Sequence, residues 1–523
     1  MMLNLERKKL CRTGYFPAIL AGSLAASAFP MANMIVRPKT FTVQPGNALT
    51  ILLTSNWQMM AMLNILTAVC TICIMYHTEF ADRGDQKMSV LPVRPLSMFL
   101  CKLIIAAASQ AFMILIESLI LAGCVLFWFP DRPLDLSLLL QQGIFSWIMA
   151  LPAVMLMLVI ASLCKNMWIS LGTGVILVFT FTIFQGGPLI LSLLPFSTPY
   201  ALYEDVVSEG HLLLYTGVCA AWVMGFALAG IFIQMILRHP PALRKVPVQT
   251  KSSTVRQVHT PGNSFAMGHF PILAVELMKI RRSKIFLILL APVLLMWIPS
   301  VLNGNLALET ASPSMSPEQN FFIQGFMGMV WFMIPATLVI ITVLLTQTER
   351  QNRGLLKMLS LPVNTAKLCL TKFVLLLLLE LVQIIMITGG YFISAALVSL
   401  NQGYSFMLDP LYVCGFAAEV YLTAIPMAAL FWMIAVLIRT PVFAVGLGLA
   451  SVVPAVLILN TRFWFAYPMC YPFYVLMVEY GKASQGIFTT SIQWLPWIPV
   501  AAVITGAALA IASIGFGFQR ERG

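Results

Sequence analysis

Apolar residues fill this chain in long continuous blocks, and short polar stretches separate them. A helix needs about 20 apolar residues to cross roughly 30 Å of hydrocarbon. Twelve blocks meet that length and are expected as spans, near residues 15–36, 49–76, 96–128, 137–164, 168–186, 212–237, 284–303, 321–346, 366–400, 412–438, 442–460 and 495–517. The pattern predicts an all-α polytopic membrane protein of about 12 transmembrane helices. Composition agrees: 60% of the 523 residues are hydrophobic, 10% are charged, and mean hydropathy is +0.90. No window is left for a soluble domain of ordinary size.

Charge orients the blocks. With both termini in the cytoplasm, all of the 31 Lys and Arg residues fall inside except Arg37, Lys39, Arg132, Arg462 and Lys482. Glu204, Asp205, Glu209, Glu309, Glu318 and Asp409 lie outside. The net charge of +12 therefore reads as topology and contact with the lipid bilayer, whose inner leaflet is anionic, and no nucleic acid is expected as a partner.

The N-terminal LERKKLCR, the apolar run after it and Ala26-Ser27-Ala28 together imitate a secretory signal. An internal repeat argues for a retained span instead. At an offset of 270 residues, Glu6 meets Glu276, Lys9 meets Lys279, Phe16 meets Phe286 and Asn33 meets Asn303. Each copy is expected to open with a short basic amphipathic helix on the membrane surface, over residues 2–14 in the first. Further along, Pro152 matches Pro426, Gly172 matches Gly446 and Gly174 matches Gly448 at an offset of 274, and Pro195 and Pro199 match Pro468 and Pro472 at 273. Two parallel six-helix repeats follow, residues 1–237 and 271–523, a plan typical of transporters. The stretch 238–270, rich in Pro, Ser, Thr and basic residues, reads as a cytoplasmic linker.

The offset of 270 also holds without a gap through the loops 77–95 and 347–365. Glu79, Arg83 and Lys87 are spaced i, i+4, i+8 on one helical face, and Glu349, Arg353 and Lys357 repeat it. Gly84 and Gly354 sit mid-helix, where a missing side chain admits another backbone. Thr78 and Thr348 stand where an N-cap would be, and Pro92 and Pro362 end the helices. Lys102 and Lys372 are then expected to snorkel to the interface.

The pattern E-x-x-x-R-G-x-x-K-M-x-x-L-P-V, met by both copies, resembles the permeases of the type-2 ATP-binding-cassette exporters. Within them it is most similar to the permeases of lantibiotic-immunity and bacitracin-resistance systems, whose subunits are usually one six-span unit. The span SWIMALPAVMLMLVIASLCKNMWISLGTGV and the segment LPFSTPYALY carry the resemblance further. It implies a coupling helix in each of the two loops, docked into a separate ABC ATPase subunit through Glu79, Arg83, Gly84 and Lys87 and through Glu349, Arg353, Gly354 and Lys357. It also implies two ATPase copies per chain, ATP and Mg bound on that partner and no cofactor on this chain. Export of an amphipathic peptide antibiotic or lipid-like substrate across a bacterial cell membrane would follow. No G-x-x-x-x-G-K-[ST] phosphate loop occurs in the chain, so it is expected to be a permease and not an enzyme.

An ion-driven carrier of the major facilitator type also has twelve spans in two parallel halves. Its G-x-x-x-D-R-x-G-R-R loop is only faintly echoed by Asp82-Arg83-Gly84, and the second copy has Asn352 in place of Asp82. Few carboxylates fall within expected spans: Glu117, Glu380 and Glu419. Gln110, one heptad before Glu117, is the repeat equivalent of Glu380, so Gln110, Glu117 and Glu380 are candidates for a substrate pathway or for inter-helix hydrogen bonds. The five His residues have no metal-ligand spacing, so no metal is expected, and Cys70 and Cys73 read as small buried side chains.

Overall fold

The computed structural model describes residues 2–11, 13–80, 95–164, 167–183, 189–238, 276–278, 285–302, 304, 315–350, 365–438, 440–485 and 495–518. It is helical throughout those residues apart from short turns. A short helix, α1 (Met2–Cys11), precedes six long ones: α2 (Tyr15–Val36), α3 (Ala48–Phe80), α4 (Pro95–Trp128), α5 (Leu136–Leu163), α6 (Met167–Ile183) and α7 (Leu212–Arg238). The second series is α8 (Ile285–Leu302), α9 (Pro317–Gly328, continued through a π-helical turn at Met329–Met333 into Ile334–Arg350), α10 (Thr365–Gln402), α11 (Pro410–Leu437) and α12 (Pro441–Val452). A shorter helix, α13 (Tyr471–Gln485), then precedes α14 (Trp497–Phe518).

Ten helices among the described residues are long and apolar enough to cross a membrane, and the other two expected spans are present as shorter apolar helices, Ile169–Val178 and Ile285–Val301. Pro152 and Pro426 lie inside α5 and α11 without ending them. A bundle can tolerate this because neighbouring helices supply partners for the freed carbonyls.

Burial ranks the spans in the same way in both series. In α3, 94% of the apolar window is buried, and in α9 it is 89%, whereas the last spans, α7 and α14, reach only 11% each. A helix apolar on every side belongs in the middle. Accordingly α3 packs on α2, α4, α5 and α6 of its own half and on α12 of the other, while α9 packs on α8, α10, α11 and α12 and on α6 across the seam.

Hydrophobicity gives helices little reason to associate inside lipid, so close packing must hold them, and small residues permit it. A Cβ added at Gly174 on α6 would fall 2.5 Å from Val69 on α3, and one at Gly448 on α12 would fall 2.9 Å from Val339 on α9. Both glycines and both valines are repeat pairs, so the fifth span closes on the second through the same contact twice. Gly14 has another role: its φ of +79° turns the chain from α1 into α2, and a Cβ there would meet the Phe443 ring of α12 at 2.8 Å.

The proline-bearing segments fold inward. Phe196, Ser197 and Thr198 are buried, with the Thr198 hydroxyl donating to the Met149 carbonyl of α5 at 2.8 Å. Met469, Cys470 and Tyr471 are buried against α11 and α12.

Candidate functional site

The coupling sequences begin where the two most buried helices end. α3 and α9 carry the chain out of the bundle, and the backbones of Glu79 and Glu349 form part of their last turns. Arg83, Gly84, Lys87, Arg353, Gly354 and Lys357 lie outside the described residues. One expectation is corrected here. Helix continues without a break through Thr78 to Phe80 and through Thr348 to Arg350. Neither threonine can be an N-cap, since an N-cap stands outside the helix it opens and both threonines lie within a helix that began far upstream.

Beside these ends, each half builds a buried ion pair. The Lys102 ammonium at the start of α4 lies 3.4 Å from Glu6 of α1, and the Lys372 ammonium at the start of α10 lies 2.9 Å from Glu276. Both lysines are 1% exposed, which corrects the expectation that they snorkel. A charged side chain reaches for the interface when no counter-charge is nearer, and here Glu6 and Glu276 each bring a carboxylate to it. Lys102 also lies over the Tyr76 ring of α3 at 5.5 Å, so α1, the end of α3 and the start of α4 converge on one ammonium. Lys9 supplies Glu6 with a second cation at 3.7 Å. Glu6 and Lys102 were each visible in the repeat alignment. Their pairing was not, because 96 residues separate them.

The three polar residues considered for a pathway are all buried within their own halves. Glu117 accepts a hydrogen bond from Asn64 Nδ2 of α3 at 2.7 Å. In the second half Gln383 of α10 accepts one from the Thr337 hydroxyl of α9 at 2.7 Å. Both ties join third span to second span, although they do not occupy equivalent positions. Glu380 is fully buried, and neither carboxylate oxygen has a hydrogen-bond partner among the described residues. Gln110 is 2% exposed. Asn64, Thr337 and Gln383 gave no signal in sequence, since one amide or hydroxyl in an apolar run has no spacing to read.

Where the halves meet, α2, α3 and α12 enclose an apolar cavity of ≈ 260 Å³. Gly22, Thr67 and Cys70 face Val442, Gly446 and Leu447 across it, and none of Gln110, Glu117 and Glu380 lines it. Cys70 and Cys73 are buried free thiols on α3. A polar cluster also missed in sequence joins α11 to α13, where Lys482 sits 2.6 Å from Glu479 and the Tyr412 hydroxyl donates to the same carboxylate. No group of three metal-capable side chains occurs among the described residues.

Residues 2–182 and 272–455 match the family model described as ABC-2 family transporter protein. The two matched regions begin 270 residues apart, at the spacing of the repeated ion pairs. No curated protein matches the chain. No solved structure matches it either.

Proposed function

The chain belongs to the ABC-2 family of transporter proteins, and from that premise we propose that it is the membrane half of an ATP-driven exporter whose two six-span units move against each other. Membership makes it a multi-pass membrane permease with an ABC ATPase as partner. Its sequence has no phosphate loop of its own. The finer reading concerns how that partner is used. One observation carries it: in each half the helix that leads into the E-x-x-x-R-G-x-x-K sequence is the most buried in its set and touches the opposite half. A displacement applied at Glu79 or Glu349 would reach the seam along a helix packed on every side, where close packing resists local deformation.

Two ATPase copies per chain fit the presence of two coupling sequences. Closure of the ATPases around ATP and Mg would shift both, and the different ATPase contacts in the two states would supply the bias. The ion pairs at Glu6 and Glu276 would hold each surface helix to the third span so that both travel with the loop. The apolar seam supports an amphipathic peptide or lipid-like cargo, and the similarity to lantibiotic-immunity permeases supports export across a bacterial cell membrane with both termini cytoplasmic. The residues 1–237 and 271–523 would be the two units and 238–270 the tether.

Charge reversal, Glu79→Lys with Glu349→Lys, tests the coupling. Loss of ATPase co-purification while the permease keeps its unfolding temperature is the expected result. Unchanged ATP-driven export in vesicles would refute the assignment, and export that runs on a proton gradient with no ATPase would favour a secondary carrier instead.

A further inference from the structure

A groove on the outside of the first half combines an apolar trough with a basic end. It has a volume of ≈ 730 Å³ and lies between α1, α2 and α4. Ile104, Ala108 and Phe112 form one wall on α4, Phe16 and Leu20 the other on α2, and Asn4 and Arg7 of α1 close it. Ile104 to Phe112 covers about 12 Å along the helix at 1.5 Å per residue. Arg7 is exposed, and so are Ile104 at 54% and Phe112 at 50%. These two belong to a span, so the face they form meets lipid.

The second half is an internal control. It retains the scaffold: Glu276 pairs with Lys372 as Glu6 pairs with Lys102. The groove residues change. At the repeat-equivalent positions Asn4 becomes Ala274, Arg7 becomes Leu277, Ala108 becomes Leu378 and Ser109 becomes Leu379. Both polar side chains at the basic end are gone, and two small residues in the wall are replaced by leucines. In sequence, the polar pair and the small wall residues occur together only in the first copy.

We propose that this groove holds a resident anionic phospholipid, its phosphate at Arg7 and Asn4 and one acyl chain along the α2–α4 trough. Acyl chains are as apolar inside the trough as in the bilayer, so the tail gains little by entering. Selectivity must come from the head, where a guanidinium matches phosphate geometry. A lipid so placed would brace α1 against α4 beside the Glu6–Lys102 pair. It is distinct from a transported substrate, which would occupy the seam between halves.

The full chain in nanodiscs provides the test. Phe16→Trp places a fluorophore in the trough, and its emission, after subtraction of the wild-type signal, is quenched by brominated phosphatidylglycerol or by brominated phosphatidylcholine at equal mole fraction. The expected result is a preference of about five-fold for the anionic lipid, the ratio that one surface cation supplies. Arg7→Leu should abolish the preference and Arg7→Lys should retain part of it. Ala108→Leu should reduce quenching by both lipids. If Ala108→Leu does not fold, the exposed Arg7 variants still decide. Equal quenching by the two lipids, or a preference that survives Arg7→Leu, would overturn the proposal. So would absence of quenching by either lipid, which would mean that a second copy or a partner helix covers the groove. Relief of quenching by soluble glycerol phosphate would show a site for phosphate alone and would also overturn it.

Discussion

The two halves place their spans alike and fill them differently. In the first, Asn33 of α2 donates to Asn56 of α3 at 2.9 Å, and Gln142 of α5 bonds Ser146 and accepts from the Tyr203 amide. In the second, aromatic rings occupy much of the equivalent volume. Phe326 stands where the first half has Asn56, Trp297 where it has Ser27, and Tyr391 where it has Leu121. These rings meet Phe321, Phe322 and Phe416 with centroids 4.8 to 6.3 Å apart, Phe321 in turn meets Phe406 at 5.6 Å, and Trp297 fits because Gly325 and Gly390 leave room for it. The second half also carries the π-helical turn in its central helix. The ion pair, the glycine contact of the fifth span and the central position of the second span are common to both. What is shared lies at the ion pair, the third-span start and the seam. What differs lies within each six-helix set, where either hydrogen bonds or rings can join the same helices.

The comparison can be broken most severely at its shared element. Lys102→Met combined with Lys9→Met in the first half, or Lys372→Met in the second, takes the neighbouring ammonium from a buried carboxylate and should destabilise by about 3 to 5 kcal/mol in either half. The doubles Glu6→Gln/Lys102→Met and Glu276→Gln/Lys372→Met should recover most of that loss. Thermal unfolding in detergent, followed by tryptophan fluorescence, measures both, and a large loss in one half alone would end the equivalence. Next in size is the contrast of cores. Trp297→Ala should cost about 3 to 5 kcal/mol, and Asn56→Ala about 1 kcal/mol, the range of hydrogen bonds between membrane helices. Denaturant titration of the two variants should reproduce that order, and a reversed order would show the polar core to be the stronger one.

The smallest effect concerns a pair of N-caps. Asp135 accepts from the Leu138 amide and the Ser137 hydroxyl, and these hydrogen bonds hold its carboxyl below its usual range. Its repeat equivalent, Asp409, makes no side-chain cap bond and is followed by Pro410. A carboxyl whose folded value is depressed contributes stability that is fully present above its unfolded value, near 4, and is lost as pH falls through the folded one. Asp135→Ala should therefore lower the unfolding temperature slightly at neutral pH and show no difference from the parent at strongly acid pH. Asp409→Ala removes no cap bond and should lower the unfolding temperature less at neutral pH. Unfolding scans between neutral and acid pH read both, and equal profiles would remove the distinction between the two caps.

Much of the fold was legible because spans announce themselves by length and the repeat by identity. The regions expected for α2 to α7, for α8 to α12 and for α14 all contain apolar helices, and Gly174 and Gly448, matched in sequence, make the same contact in space. The candidate site was legible only in part. The motif gave Glu79 and Glu349 but not that their helices are the innermost, since a run apolar on every side looks the same wherever it packs. The snorkelling expected of Lys102 and Lys372 failed for a related reason: a lysine near a span end reads alike whether water or a distant glutamate receives it. The N-caps at Thr78 and Thr348 failed because cap residues signal a start only where the preceding backbone is not already helical.

By itself, the sequence determined the class, the number of spans, the duplication and the family resemblance, all of which depend on composition and on order along the chain. Tertiary structure alone decided that Glu6 meets Lys102 and Glu276 meets Lys372, that α3 and α9 occupy the centre, and that Asn64 donates to Glu117. Those facts depend on which helical faces come together. In a membrane, where nearly every face is apolar, packing and single polar contacts make that choice rather than periodicity.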